Sequence, residues 1–214
     1  METAVTALLW IHVLSGFTAF FVAPCALATK KGGKAHRFWG KVFVRAMLTS
    51  TISASIIAIY RPIPFLFLIS IFSFYLTFTG FRVLLRKKPE DRPKLVDWIA
   101  SIAMLMTGAG LVGLGFFDPP GHGFRLIAIV FGSMSILFSA QEIHRFLKPP
   151  KDHRHWLYQH MGNMVGAYIS AVSAFSVVNL TFLPSVIRWL WPTVIGVPLL
   201  ILTTNRYKKK RAKN

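Results

Sequence analysis

The stretch TAVTALLWIHVLSGFTAFFVAPCALAT, residues 3–29, decides the fold class because it holds no charged residue over its whole length. A helix needs about 20 apolar residues to cross the hydrocarbon core of a bilayer, so this stretch predicts one membrane span. Six further uncharged runs predict six more spans: residues 46–60, 62–81, 98–117, 126–141, 156–187 and 189–205. The predicted fold is therefore an all-α integral membrane protein, a bundle of seven transmembrane helices.

The composition agrees with this prediction and excludes a soluble enzyme. Hydrophobic residues make up 54% of the chain and charged residues only 15%, against roughly 25% in soluble domains. The single cysteine, Cys25, excludes an internal disulfide. Because the loops between the predicted spans are short, none of them can fold alone as a catalytic domain.

The net charge of +18 is unevenly distributed. Alternate loops, the C-terminal tail and Arg45 carry 22 of the 25 Lys and Arg residues, and the opposite side carries Arg61, Arg125 and Arg188. Short cytoplasmic loops are enriched in Lys and Arg, so the N-terminus is predicted outside and the C-terminus in the cytoplasm. Residues 1–205 form one predicted transmembrane domain and residues 206–214 a basic cytoplasmic tail. We expect this charge to attract anionic lipid headgroups and not nucleic acid.

Cysteine labelling from the outer face checks this orientation. After Cys25→Ala, a cysteine introduced by His122→Cys should react with an impermeant reagent, whereas cysteines introduced by Lys34→Cys and Arg211→Cys should not. The reverse reactivity would contradict the predicted orientation.

An internal repeat is indicated by the tetrapeptides HRFW at residues 36–39 and HRHW at residues 153–156. Both precede a predicted span that runs outward, and further small and apolar residues match beyond them. The repeat pairs spans one to three with spans five to seven in parallel, leaving span four as the linker. The predicted organisation is three plus one plus three.

Four stretches of the sequence resemble a bacterial membrane family known as domain of unknown function 2306. They are residues 30–43 (KKGGKAHRFWGKVF), 65–84, 160–179 (HMGNMVGAYISAVSAFSVVN) and 189–200 (WLWPTVIGVPLL). The likeness extends over most of the chain. It implies a multi-span protein of the bacterial inner membrane, and it implies no activity.

Three histidines are predicted to lie at similar depth on the cytoplasmic side: His160, His144 and His36. Imidazole is the commonest metal and haem ligand, so their convergence would form a site for haem b or a divalent metal. Without a ligand, the same residues could form a proton path. His12, in the first span, lies about 10 Å deeper than His160 at 1.5 Å per residue, which excludes these two as opposed haem ligands.

Ionisable and amide side chains within the predicted spans form a second group of candidates. A charged group in hydrocarbon is costly unless it is paired or faces the bundle interior. Glu142 follows a stripe of small residues at helical spacing, which predicts that it faces protein, and we expect an ion pair with Arg45. Asn163 shares the small-residue face of His160. Asp97, at the start of span four, is expected to be solvated.

The glycine pattern G-x-G-x-x-G at residues 108–113 lies within a span and has no strand before it, which excludes a dinucleotide site. Ala109 and Gly113 are instead expected to allow the close approach of a neighbouring helix.

These patterns favour a redox or metal-handling membrane protein whose cytoplasmic-side site uses His160, His144 and His36 with Glu142 nearby, because all four lie at similar depth. They leave its enzymatic activity undecided. One alternative is a small-molecule or ion transporter, indicated by the repeat and by prolines within spans. Another is an accessory subunit that binds other membrane proteins in a larger complex.

Overall fold

The computed structural model describes residues 2–88, 90–117 and 124–212, except for the side chains of residues 210–212. Within these ranges the chain is almost entirely helical. The helices are α1 Glu2–Ala28, α2 Lys34–Tyr60, α3 Pro64–Arg82, α4 Leu95–Phe117, α5 Phe124–Leu147, α6 His155–Asn179 and α7 Ser185–Ala212, with a 3-10 turn Val83–Leu85 after α3. All seven α-helices are long and apolar enough to cross a membrane, which confirms the predicted fold class.

Helix α1 shows how the bundle is arranged for contact with lipid. It buries only Ala19 and Ala23, while the large apolar side chains of Trp10, Leu14 and Phe21 are more than 60% exposed. Such exposure would be unfavourable in water and suits a helix whose outer face contacts hydrocarbon. The helix can lie there because its backbone hydrogen bonds are satisfied internally. The chain is therefore a multi-pass membrane protein.

Helix α3 lies at the centre of the bundle and packs against α2, α4 and α6. Helix α1 packs along α2, α4 along α5, and α7 against α6. Aromatic and sulfur-containing side chains fill the core between them, among them Phe72, Tyr75, Met104 and Phe131.

Helices α4 and α5 approach each other closely at their glycines. A Cβ atom on Gly132 would lie 2.8 Å from the backbone nitrogen of Val112 and 2.9 Å from the carbonyl oxygen of Gly108. A Cβ atom on Gly108 would likewise meet Gly132 at 2.9 Å, whereas one on Gly113 would meet nothing within 4 Å. The predicted role of Gly113 in close packing is therefore wrong, and Gly108 has that role instead.

This pairing of α4 with α5 also contradicts the predicted three plus one plus three organisation. In such a repeat α5 would be the counterpart of α1 and would pack along α6, as α1 packs along α2. Instead α5 packs along α4. The glycines at the α4/α5 contact explain why α5 packs along α4. They allow these two backbones to approach more closely than residues with larger side chains would.

One end of the bundle, which we call the charged end, gathers the last turns of the odd-numbered helices and the first turns of the even-numbered ones. It corresponds to the predicted cytoplasmic side. Helix α2 begins at Lys34, well before the uncharged run that predicts it, and α7 continues to Ala212, through most of the predicted tail. The orientation of the bundle in a membrane stays a prediction, and His122 lies outside the described residues.

Candidate functional site

A buried ion pair joins α3 to α4 at the charged end. Asp97, in the first turn of α4, is only 2% exposed. Arg82 donates to both of its carboxylate oxygens, from Nε at 2.9 Å and from Nη2 at 2.8 Å, and the backbone nitrogen of Lys94 donates at 2.8 Å. The expectation that Asp97 is solvated is therefore wrong. A bidentate guanidinium contact of this kind is among the strongest that a carboxylate makes.

Glu142, in the last turns of α5, is also 2% exposed. Its carboxylate accepts hydrogen bonds from Arg86 Nη2 at 2.9 Å, from Arg145 Nη1 at 3.2 Å and from the side-chain amide of Gln159. Arg86 also lies 4.0 Å from Asp97, so the two carboxylates share one guanidinium. We call Arg82, Arg86, Asp97, Glu142, Arg145 and Gln159 the buried polar network.

The stripe of small residues on α5 explains why Glu142 is buried. Ala128, Gly132, Ser135 and Ser139 are all buried on the same face of α5 as Glu142. Both serines turn their hydroxyls back to carbonyls of their own helix, which satisfies these groups within the bundle. The prediction that this face is directed towards protein is confirmed.

The predicted ion pair between Glu142 and Arg45 is wrong. Arg45 is exposed on α2, a helix that does not pack against α5, and Arg86 and Arg145 are the cations that pair with Glu142. Arg86 follows the third uncharged run, so the sequence indicates a loop position for it. The structure places it after the 3-10 turn Val83–Leu85, which directs its guanidinium to within 4.9 Å of the Phe146 ring centre.

Two of the three candidate histidines lie together. The ring centroids of His36 and His160 are 6.4 Å apart and their planes are nearly perpendicular. The Nδ1 atom of His36 lies 2.9 Å from the carbonyl oxygen of Ala26, and that of His160 lies 2.8 Å from the carbonyl oxygen of Gly80. We call these two residues the histidine pair. His144 is exposed on α5.

The histidine pair and Glu142 do not form one site. Gln159 reaches Glu142 on α5, whereas the next residue, His160, reaches Gly80 on α3. Consecutive residues of an α-helix point in directions about 100° apart, so α6 separates the two groups. The single site expected from similar depth alone is therefore two sites on different faces of α6.

The remaining candidate residues connect helices. Asn163 donates to the hydroxyl of Thr79 on α3 at 2.8 Å. His12, half-buried on α1, contacts the carbonyl oxygen of Ser50 on α2 at 2.9 Å. His12 therefore belongs to the α1/α2 contact and lies apart from the histidine pair. In the turn between these helices, partial burial lowers the pKa of Lys31.

A cavity of about 240 Å³ lies between α3, α5, α6 and α7. Its walls are mainly aromatic and aliphatic, and small residues of α6 leave space on one side. The lining residues are Phe72, Tyr75, Leu76, Phe131, Met134, Phe138, Gln141, Arg145, Tyr158, Gln159, Gly162, Asn163, Gly166, Ile169, Ser170, Thr193, Val197 and Leu200.

A second, polar cavity of about 30 Å³ lies at the charged end. It is lined by Arg86, Lys88 and Glu142 among others, and it shares Arg145 and Gln159 with the large cavity. The contact of Glu142 with Arg145 and Gln159 therefore lies between the two cavities. Sequence reasoning did not find either cavity, because each depends on which helices become neighbours.

No group of three or more His, Cys, Asp or Glu side chains within the described ranges is arranged to hold a metal ion. This finding does not support the expected divalent-metal site of three or four ligands. Of the three predicted histidines, His36 and His160 are the two that the described structure brings together.

Residues 9–111 match the family described as "Predicted membrane protein (DUF2306)". This segment runs from α1 into α4 and includes the first two of the four stretches that resemble the family. The stretches at residues 160–179 and 189–200 lie beyond it, as do Glu142 and His160. No curated protein and no solved structure matches the chain.

Proposed function

We propose that this chain, whose residues 9–111 belong to the membrane family domain of unknown function 2306, is a small-molecule transporter that binds a single-chain anionic amphiphile. The observation that carries this proposal is the large cavity, whose lining is mainly aromatic and aliphatic and includes the guanidinium of Arg145. A mostly apolar pocket with a few convergent polar groups is a place to expect a ligand.

The residues that line the cavity lie far apart along α5. Phe131 and Arg145 both line it, and 14 residues of α5 separate them, which corresponds to about 20 Å along the helix. Its volume of about 240 Å³ exceeds the roughly 150 Å³ that holds benzene in an engineered apolar cavity. Lining residues this far apart along one helix allow the cavity to hold an alkyl chain.

The charge at the cavity's end favours an anionic head group. Arg145 is 37% exposed and contributes one of three guanidinium groups in the buried polar network, against two carboxylates. The network therefore carries one excess positive charge, and guanidinium binds carboxylate and phosphate oxygens in a bidentate way. Because bilayer lipid and the cavity offer an alkyl chain similar surroundings, the head-group contacts supply most of the selectivity.

The position of the network supports transport in addition to binding. Arg145 and Gln159 line both cavities, and each of them contacts Glu142. An anionic head group that binds Arg145 competes with Glu142 for the same guanidinium. If Glu142 moved away from Arg145 and Gln159, the large cavity would join the polar cavity at the charged end. This would open a route for the ligand.

Filling the cavity tests this function. Gly162 lines the cavity, and a Cβ atom on it would meet nothing within 4 Å, so Gly162→Leu adds its side chain where open space begins. We expect radiolabelled palmitate to bind the wild-type protein in nanodiscs above the level of empty nanodiscs. Gly162→Leu should weaken this binding at least about tenfold, a loss of about 1.4 kcal/mol.

The matched control is Gly113→Leu, which makes the same substitution on α4. A Cβ atom on Gly113 also meets nothing within 4 Å, and Gly113 does not line the cavity. Palmitate binding should be unchanged in this variant. Equal binding by Gly162→Leu, Gly113→Leu and the wild type would refute the proposed site.

A further inference from the structure

We propose that the large cavity opens sideways to the bilayer through a cleft between α5 and α7, and that an anionic single-chain lipid enters it from the leaflet at the charged end. The role of this cleft rests on the proposed transport function, whose ligand would then come from the surrounding membrane. The residues that define the cleft are Met134, Phe138, Gln141, Thr193, Val197 and Leu200.

The cleft is bounded by one face of each helix. On α5 and on α7 alike, its three residues follow one another at intervals of four and then three residues, and all six line the large cavity. Residues at this spacing lie on the same side of a helix. The two faces extend for about 10 Å along each helix, at about 1.5 Å of rise per residue.

The exposure of the lining residues differs from one side of the cavity to the other. On α3, Phe72, Tyr75 and Leu76 line the same cavity and are at most 3% exposed. In the cleft, Gln141 is exposed and the other five residues are partly exposed. The α3 side is therefore the closed inner wall, and the side between α5 and α7 is the open one.

The packing of α7 explains why it leaves this space. Helix α7 packs mainly against α6 and only lightly against α5. Gly196 lies so close to α6 that a Cβ atom on it would be 2.6 Å from Cδ1 of Ile169. The rings of Phe131 and Trp189 join α5 to α7 edge to face, at the end of the cavity far from Arg145. The cleft lies between this contact and the charged end.

The cleft lies at the depth of the hydrocarbon core. All six of its residues belong to the uncharged runs 126–141 and 189–205, within helices that are long and apolar enough to cross a membrane. Arg145 lies about one turn beyond Gln141 towards the charged end. A ligand with its head group at Arg145 and its chain in the cavity would therefore have the orientation of a lipid in the adjacent leaflet.

Entry through the cleft avoids an electrostatic cost. A charged group is costly to hold in hydrocarbon, and a lipid that moves sideways into the cleft keeps its head group near the membrane surface. Its chain only exchanges one apolar environment for another. The route through the polar cavity instead requires Glu142 to move away from Arg145 and Gln159. The cleft is therefore the entrance, and the polar cavity is the side on which a bound head group acts.

Photolabelling by a lipid that stays in the bilayer tests the cleft. The probe is a phosphatidylcholine with a diazirine on one acyl chain, in nanodiscs with the wild-type protein, and mass spectrometry of peptides locates the label. We expect label on Met134, Phe138 and Val197. Palmitate at about ten times its Kd should lower this label about tenfold, because it occupies the same space.

Met106 on α4 is the internal control for Met134, because it is 66% exposed on the outside of the bundle and does not line the cavity. It should be labelled equally with and without palmitate. Label on Met106 without label on Met134, Phe138 or Val197 would overturn the proposal. Label on Met134 that bound palmitate leaves unchanged would also overturn it.

Two tryptophan variants test the cleft without palmitate. Val197 lines the cavity, whereas Val194 on the same helix is 68% exposed and does not line it. Val197→Trp should close the cleft and lower the label on Met134 and Phe138 to the level that palmitate leaves. Val194→Trp should leave this label unchanged. Equal label on Met134 and Phe138 in the wild type and both variants would contradict a lateral opening.

Palmitate binding separates failure of the cleft from failure of the proposed function. If palmitate binds and Gly162→Leu weakens its binding, but the lipid labels only the outer faces of the helices, the cavity site stands and the cleft is overturned. If the lipid labels the cleft and Val197→Trp removes this label, but palmitate does not bind, the lateral opening stands and the proposed function fails.

Discussion

Replacing Glu142 with alanine is expected to lower the free energy of unfolding by about 3 to 5 kcal/mol, because it leaves a buried arginine without its partner. The Arg86 side chain is only 12% exposed and lies 2.9 Å from Glu142, and its Nε atom has no hydrogen-bond partner in the described part of the chain. Without Glu142, the carboxylate that remains near Arg86 is that of Asp97, at 4.0 Å. Unfolding in mixed micelles of dodecyl maltoside and sodium dodecyl sulfate measures the loss.

Glu90→Ala is the control for this prediction. Glu90 lies at the same end of the bundle and is exposed, so its removal should change the free energy of unfolding by about 1 kcal/mol or less. A loss of this small size for Glu142→Ala would show that the carboxylate is hydrated and that the polar network is not buried.

Replacing Gly132 with alanine is the second change with a large expected effect. The added Cβ would lie 2.8 Å from Val112 N and 2.9 Å from Gly108 O, and these backbone atoms cannot move without separating α4 from α5. Overpacking of this kind typically costs 1 to 3 kcal/mol. We expect Gly132→Ala to lower the free energy of unfolding by about 2 kcal/mol in the same micelles.

Gly113→Ala should have the opposite sign. A Cβ atom on Gly113 meets nothing within 4 Å, and alanine stabilises a helix interior by up to about 1 kcal/mol relative to glycine. If the two variants had equal stability, α4 and α5 would not be in backbone contact at Gly132.

The uncharged runs predict the helices because a membrane-spanning helix needs about 20 apolar residues in succession, whichever helices become its neighbours. The burial of Glu142 is equally local, since the small residues that precede it on α5 determine its face. The cation that pairs with Glu142, by contrast, depends on which helices pack together. Arg45 directly precedes one predicted span, whereas Arg86 lies in the loop after another, and only the packing of α3 beside α5 selects Arg86.

For the histidines, the sequence predicts the depth in the membrane but not the direction of each ring. Their depth follows from residue number at about 1.5 Å per residue, and it brings His36 and His160 to one level. The direction in which each ring points depends on the rotation of its helix against its neighbours. Sequence reasoning therefore placed Glu142 and His144 in one site with His160, although these three side chains face different surroundings.

The cavity is the feature least accessible from the sequence, because four helices contribute to it and no motif marks it. Its glycines, Gly162 and Gly166, form a G-x-x-x-G pattern that predicts close helix packing. A Cβ atom on Gly162 instead meets open space. The pattern indicates a small-residue face, and only the neighbouring helices determine whether that face packs or leaves a cavity.

Native mass spectrometry of protein released from its membrane in mild detergent tests the central claim, that the large cavity binds an anionic amphiphile, most directly. We expect the wild-type protein and Gly113→Leu to carry one bound single-chain anion, identified after dissociation by its mass and negative charge. Gly162→Leu should carry none, since its side chain occupies the cavity that Gly162 lines. The same bound molecules on all three proteins, or none on any of them, would contradict the claim.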